Sequence, residues 1–183
     1  MLKVGVPGFT QVPQLLVYNP FSLQPLNFNV SPASCDNPGH YMEYIRFSAI
    51  SDNKAGQSLT HIFVDESQHK LAGYIALRAT SLISKGQHGE HIVHPSLEIA
   101  ELAVAEEYER KQVGTQMVEF AFLTADMLRQ EHIGIKYVVL CADHKAVGFY
   151  EKLGFGRIDD LYQVPRDGMN SDCVPMYIQL PEN

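Results

Sequence analysis

The run from Leu97 to Phe155 constrains the fold of this chain more than any other segment. Leu97-Glu98-Ile99-Ala100-Glu101-Leu102-Ala103-Val104 is apolar enough for a buried strand, yet it carries two acids. Carboxylates are rarely buried without a partner, so acids on such a strand need a chemical or ionic reason. Gln112-Val113-Gly114-Thr115 then opens a long apolar segment that ends near Glu131. That pattern puts small residues at a helix start, where the first backbone N–H groups have no partner within the helix and the dipole is positive. Such a start is a ready anion site, and phosphate is the expected guest.

Ile135-Lys136-Tyr137-Val138-Val139-Leu140-Cys141, introduced by Gly134, reads as a second buried strand. A long helix between two buried strands is the connection that parallel neighbours require, so this strand is expected to lie parallel to the first. Asp143 is an N-cap for a helix over Lys145–Leu153, and Gly154 stands where a C′ glycine belongs. Phe155–Leu161 and Val174–Leu180 are expected as the last strands, with a loop rich in Asp, Gly, Asn and Ser between them.

Upstream, residues 1–26 form an arm with Pro7, Pro13, Pro20 and Pro25, which restricts its short apolar runs to edge strands or extended loops. Leu26–Val30 alternates apolar and polar residues, as a first strand would. Tyr41, Ile45, Ser48 and Ala49 recur at helical spacing and predict a helix from Gly39 to Asp52 with one buried face. Thr60–Asp65 and Leu71–Leu77 predict an antiparallel hairpin. Ser84–Pro95 reads as a polar loop with His88, His91 and His94. Imidazole binds metals, but no cysteine or acid pair completes a usual zinc spacing there, so a solvated loop without metal is expected.

A chain of 183 residues is long enough for one domain with a substantial core, and a single domain over 1–183 is expected. The net charge of −7 argues against a general nucleic-acid or acidic-membrane surface. Apolar runs fall short of a membrane span, and no apolar stretch with a cleavage site follows Met1-Leu2-Lys3, so a cytoplasmic protein is expected. Cys35, Cys141 and Cys173 are odd in number, far apart and in no CxxC pairing, which predicts reduced thiols.

Two signatures suggest a family: Leu102-Ala103-Val104 followed by Glu109-Arg110-Lys111-Gln112-Val113-Gly114, and Asp143-His144-Lys145-Ala146-Val147-Gly148-Phe149-Tyr150-Glu151-Lys152-Leu153-Gly154-Phe155. In these the chain resembles the GNAT superfamily of acetyl-CoA-dependent N-acetyltransferases. The resemblance implies an α/β fold with a mixed, mostly antiparallel central sheet, a splayed parallel strand pair and flanking helices. It further implies that Leu102 and Val104 offer backbone groups to the pantetheine arm of acetyl-CoA, with Ala103 between them also on the cofactor side. Gln112, Val113, Gly114 and Thr115 would cradle the pyrophosphate, with Arg110, Lys111, Asp143, Phe149 and Tyr150 also on the cofactor side. Three positions depart from the family pattern: Glu109 stands where Arg or Gln is usual, Gln112 replaces the first glycine, and Asp143 stands where Asn is common, either of which caps a helix. Gln112 can serve if its backbone is already helical.

Acetyl transfer to an amine needs a base to strip the ammonium and a group to protonate the leaving thiolate. Glu98 stands at the position of the family's catalytic glutamate and is the first base candidate; Glu101 is the second. Three residues apart on a strand, they face opposite sides, so one of them is expected in the cleft. Either could instead be an acid paired with a cation. Tyr150 matches the tyrosine that protonates the thiolate, or is a core aromatic with a satisfied hydroxyl, and His144 is a lesser candidate. The implied function is direct transfer from acetyl-CoA to a primary amine of a small molecule or protein. The front of the chain, around Ser34-Cys35-Asp36 and Leu59–Leu77, also looks like GNAT toxins that acetylate aminoacyl-tRNA and pair with an antitoxin. A CoA-binding module without turnover is the third reading, and a homodimer is left open.

Overall fold

The computed structural model describes residues 3–4, 15–18, 28–158, 162–163 and 173–182. It divides into two compact units: residues 1–77 with 100–120, and residues 78–99 with 121–183. The fold is mixed α/β. Two long strands, β4 (Lys70–Lys85) and β5 (His91–Val104), and the helix α3 (Val113–Glu131) contribute to both units.

In the first unit, β1 (Lys3–Val4), β2 (Leu15–Tyr18), β3 (Leu59–Asp65) and the start of β4 form consecutive antiparallel pairs. The β3–β4 hairpin matches the sequence expectation, with a register shift at Phe63/Val64. Leu15–Tyr18 is the strand that the proline-punctuated arm allowed. Phe28–Val30 is not a strand: Phe28 is buried with its ring 5.5 Å from that of Tyr74. Its alternation reflects single apolar anchors, Phe28 and Val30, in a segment outside any strand or helix; Leu26 and Asn27 lie outside the described residues.

The first helix arrives in three pieces: α1 (Pro38–Glu43), a π-helical turn over Tyr44–Ser48, and α2 (Ala49–Ala55). The wider turn explains a misread face. Tyr44, absent from the expected buried set, is buried with Ile45 and Ala49, whereas Tyr41 and Ser48 are half-buried. The Tyr44 ring stacks on Tyr74, and its hydroxyl lies 3.1 Å from both Ser58 Oγ and Thr60 Oγ1. Gly73 is required where β4 meets β5 and α3, since a Cβ there would stand 2.7 Å from the Ala103 carbonyl oxygen and 2.9 Å from Met117 Sδ.

In the second unit, the expected polar loop Ser84–Pro95 is instead the tip of a hairpin. β4 runs to Lys85, β5 begins at His91, and a tight turn closes with Gly86 N–H donating to the Glu90 carbonyl at 2.7 Å. Polar residues at that tip occupy strand ends exposed to solvent, which composition alone reads as loop. His94 Nε2 lies 2.9 Å from Ser84 Oγ, and among the described residues no three His, Cys, Asp or Glu groups converge as metal ligands. Strand β6 (Tyr137–Ala142) pairs with β5 in parallel, as expected, from Ser96↔Tyr137 to Ile99↔Leu140. β9 (Val174–Gln179) lies antiparallel to β6, and β7 (Gly156–Arg157) antiparallel to β9. β8 (Tyr162–Gln163) pairs with β4, and residues 159–161 of the expected strand lie outside the described residues. Leu82, Tyr137 and Val139 centre the core of this unit.

The expectation of three reduced thiols is corrected for two of them: Cys141 and Cys173 form a disulfide, with Cα atoms 5.5 Å apart, inside the usual bridging range. The β6–β9 ladder pairs Cys141 with Pro175 and so brings Cys173 alongside, a juxtaposition across 32 positions that sequence spacing does not display. Cys35 is a buried thiol whose Sγ lies 3.7 Å from the Ser31 carbonyl oxygen. Among the described residues no helix is long and apolar enough to cross a membrane.

Candidate active site

Glu98 lies in the second unit and is almost wholly buried, at 2% exposure. Arg78 on β4 takes both of its oxygens: Nε donates to Oε2 and Nη2 to Oε1, each at 2.7 Å. This is the two-pronged geometry in which guanidinium and carboxylate fit best. The pair explains how an acid can occupy an apolar strand.

Glu101 lies in the first unit with its side chain 17% exposed. Its Oε1 stands 2.9 Å from Nε2 of His40, whose side chain is half exposed. His40 sits in the first turn of α1, where Asn37 Oδ1 caps the helix by accepting the His40 backbone N–H at 3.2 Å. The Glu101 hydrogen bond raises the imidazole above its ordinary pKa; partial burial opposes this, and the charges of Glu101 and Glu43 reinforce it. Sequence reading missed His40, because nothing in its neighbourhood announces a partner 61 positions away.

The Ala103 carbonyl points toward Gly73 of β4, so by strand alternation those of Leu102 and Val104 point to the opposite edge. The parallel ladder with β6 ends at Ile99↔Leu140, although β5 continues to Val104.

The loop that follows is tied down at many points, all within the first unit. Ala105 N–H donates to the Ala72 carbonyl and Glu106 N–H to that of Asn29, each at 2.9 Å. The Tyr108 hydroxyl donates to buried Asp65 Oδ2 at 2.9 Å, while Asp65 Oδ1 accepts from Ser67 Oγ at 2.6 Å and Ser67 N–H at 3.0 Å. Burial alone would lift the Asp65 carboxyl; the hydrogen bonds from Ser67, Tyr108 and Gln68 outweigh it and hold the group below its ordinary range. Lys70 Nζ meets Glu107 at 2.7 Å, and Lys111 Nζ lies 5.3 Å from the centre of the Tyr108 ring. Glu109, the acid at the unusual position, accepts from Ser34 Oγ at 2.7 Å, a contact that fixes where its carboxylate lies.

Arg110 and Gln112 adopt positive φ, +60° and +63°. Gln112 is therefore not already helical, as the sequence reading required of it. It holds the left-handed conformation that glycine takes without strain, and a side chain there costs about 1–2 kcal/mol. The first α-helical bond of α3 runs from Gln116 N–H to the Gln112 carbonyl at 3.0 Å, so the amides of Val113, Gly114 and Thr115 lie ahead of the ladder. The two left-handed residues thus form the turn that leads into the 19-residue helix α3.

In the second unit, Asp143 Oδ1 accepts the Lys145 N–H at 3.0 Å and caps a 3₁₀ turn over His144–Ala146; α4 (Val147–Lys152) begins two residues later than the spacing predicts. Gly154, at φ +91°, ends α4: its N–H reaches the Glu151 carbonyl and Phe155 N–H that of Tyr150, each at 3.1 Å, the paired bonds of a Schellman stop. Tyr150 is buried at 6% exposure, its ring 4.9 Å from Phe149 and 5.7 Å from Phe155.

A family model described as "Acetyltransferase (GNAT) domain" matches residues 58–157, more than half of the chain. The chain belongs to the GNAT acetyltransferase family. As a GNAT domain it is an acetyl-CoA-dependent N-acetyltransferase. No curated protein matches the sequence. Among solved structures, a bacterial toxin shares the fold with TM-score 0.68 and 20% identity, covering 92% of both chains. A tyrosine-to-phenylalanine mutant of the toxin AtaT, bound to the C-terminus of the antitoxin AtaR and acetyl-CoA, aligns with TM-score 0.64 and 13% identity over 90% of this GNAT domain and 92% of that chain. AtaT complexed with acetyl-methionyl-tRNAfMet aligns with TM-score 0.65 and 14% identity over 88% of this chain and 93% of its own. At such identities the likeness is one of fold.

Proposed function

We propose that this GNAT domain transfers acetyl from acetyl-CoA to a primary amine by direct attack, with Glu101 as the base. The observation that carries the reading is the sequence of features in one unit: a partly exposed carboxylate, then the Leu102 and Val104 carbonyls turned away from Gly73, then the amides of Val113, Gly114 and Thr115 ahead of the helical ladder. Acetyl-CoA supplies the activated thioester. Glu101 takes one proton from the substrate ammonium, freeing the lone pair that forms the N–C bond as the C–S bond breaks. The CoA thiolate takes a proton, for which Tyr150 is the proposed donor on the strength of its place in the Asp143–Phe155 motif, and the second proton lost by nitrogen restores the phenol. Glu98 is assigned to Arg78, because a carboxylate with both oxygens held by a guanidinium is poorly placed to receive a substrate proton.

For the acceptor, the AtaT complex with acetyl-methionyl-tRNAfMet favours the α-amine of an aminoacyl-tRNA, and the toxin neighbours favour an antitoxin as partner. The net charge of −7 favours instead a small-molecule or protein amine, since tRNA affinity normally draws on several cationic contacts. Thiol release from acetyl-CoA with glycinamide, spermidine, a lysine peptide and methionyl-tRNA separates these classes. Turnover confined to methionyl-tRNA supports the toxin reading. Binding of CoA by calorimetry with turnover of none of the four overturns the enzyme assignment in favour of a binding module.

A further inference from the structure

We propose that His40 is a positioning and proton-relay residue for Glu101, carrying the proton of the substrate ammonium from the carboxylate to solvent. The inference rests on Glu101 being the base. A carboxylate that has accepted a proton must lose it before the next turnover, and the 17% exposure of the Glu101 side chain leaves limited contact with bulk water. His40 bridges that gap: Nε2 lies 2.9 Å from Glu101 Oε1, while half of its side chain is open to solvent.

The ring is not placed by accident of a long flexible side chain. Asn37 caps α1 at the His40 amide, Pro38 opens the same helix, and the His40 ring meets that of Tyr41 edge-on at 5.2 Å. The Tyr41 carbonyl in turn accepts from the Tyr74 hydroxyl at 2.8 Å, which anchors this turn of α1 to β4. The charged and titratable groups around the ring are Glu101 on β5, Glu43 on its own helix and Tyr41 beside it. Protons balance through the step. Neutral His40 accepts at Nε2 the proton that Glu101 took from the ammonium, the carboxylate is restored, and the imidazolium gives the proton to water.

Below the titration of His40 the relay is already loaded, so the acid limb of turnover should follow the imidazole. Both acids around the ring push that titration upward from the ordinary 6.5. The test has two readouts. Imidazole titration by NMR on the full chain needs no acceptor: His40 should titrate at lower pH in Glu101→Gln than in the wild type. The pH dependence of kcat, with glycinamide and methionyl-tRNA as acceptors, should show an acid limb at the His40 value. In His40→Gln, which keeps a hydrogen-bond donor and carries no proton, kcat near neutral pH should fall about tenfold, with KM for acetyl-CoA little changed, and the limb should move to lower pH. A His40 titration indifferent to Glu101→Gln overturns the relay, as does an unaltered profile in His40→Gln. If Glu101→Gln alone removes turnover, the base stands and the relay falls.

Discussion

Glu98 and Glu101 lie three residues apart on β5, and their surroundings could hardly differ more. Glu98 is buried and gives both oxygens to the guanidinium of Arg78. Glu101 is partly exposed and touches an imidazole that can take or release a proton near neutral pH. The difference teaches that a permanently charged partner and a titratable one make different uses of the same acid. A guanidinium fixes a carboxylate as a structural anion, because arginine does not give up its proton in proteins. A histidine leaves the carboxylate in exchange with solvent.

The largest expected effect breaks the comparison on its structural side. Arg78→Ala strands Glu98 as a buried carboxylate and is expected to lower stability by about 3 kcal/mol, read from urea unfolding. A loss below about 0.5 kcal/mol would show that the pair contributes little to the fold.

A third acid, Asp65, sharpens the contrast, since its buried carboxylate is held by neutral donors. Tyr108→Phe removes one of them and is expected to cost about 1–2 kcal/mol at pH 7. Because the folded Asp65 titrates below its unfolded value of 3.8, its contribution is present above that value and disappears as pH falls through the folded one. The gap between wild type and variant in a pH series of thermal melts should therefore close in acid below about pH 4. A gap constant down to pH 2 would deny the link between tyrosine and carboxylate.

The smallest effect concerns the turn beyond Glu101. Gln112→Gly relieves a left-handed side chain and should raise stability by up to about 1 kcal/mol, with affinity for CoA kept or improved in calorimetry. Destabilisation would mean that the glutamine side chain supports the turn.

Much of this was legible in the sequence because it is local. Alternating and helical periodicities placed β3, the start of β4, α3 and β6, and the Asp143 and Gly154 caps framed the segment ending in α4. The unread parts depend on partners far away in sequence or on backbone geometry. The π turn, with the Ala49 N–H bonded to the Tyr44 carbonyl five residues back, shifted the buried face to Tyr44 in a way that α-helical spacing does not anticipate. The Cys141–Cys173 bond depends on the β6–β9 register, and Arg78 and His40 are chosen by topology, not by any motif. So the sequence could name two acids on one strand but not assign their roles.

The most direct test of that assignment is kcat for Glu101→Gln and Glu98→Gln, measured side by side with glycinamide and methionyl-tRNA under conditions where both variants are folded. Glu101→Gln is expected to lose roughly 100-fold or more with acetyl-CoA affinity nearly unchanged, whereas Glu98→Gln should keep turnover within a few-fold and lose stability instead. A larger loss of kcat in Glu98→Gln than in Glu101→Gln would contradict the assignment of Glu101 as the base.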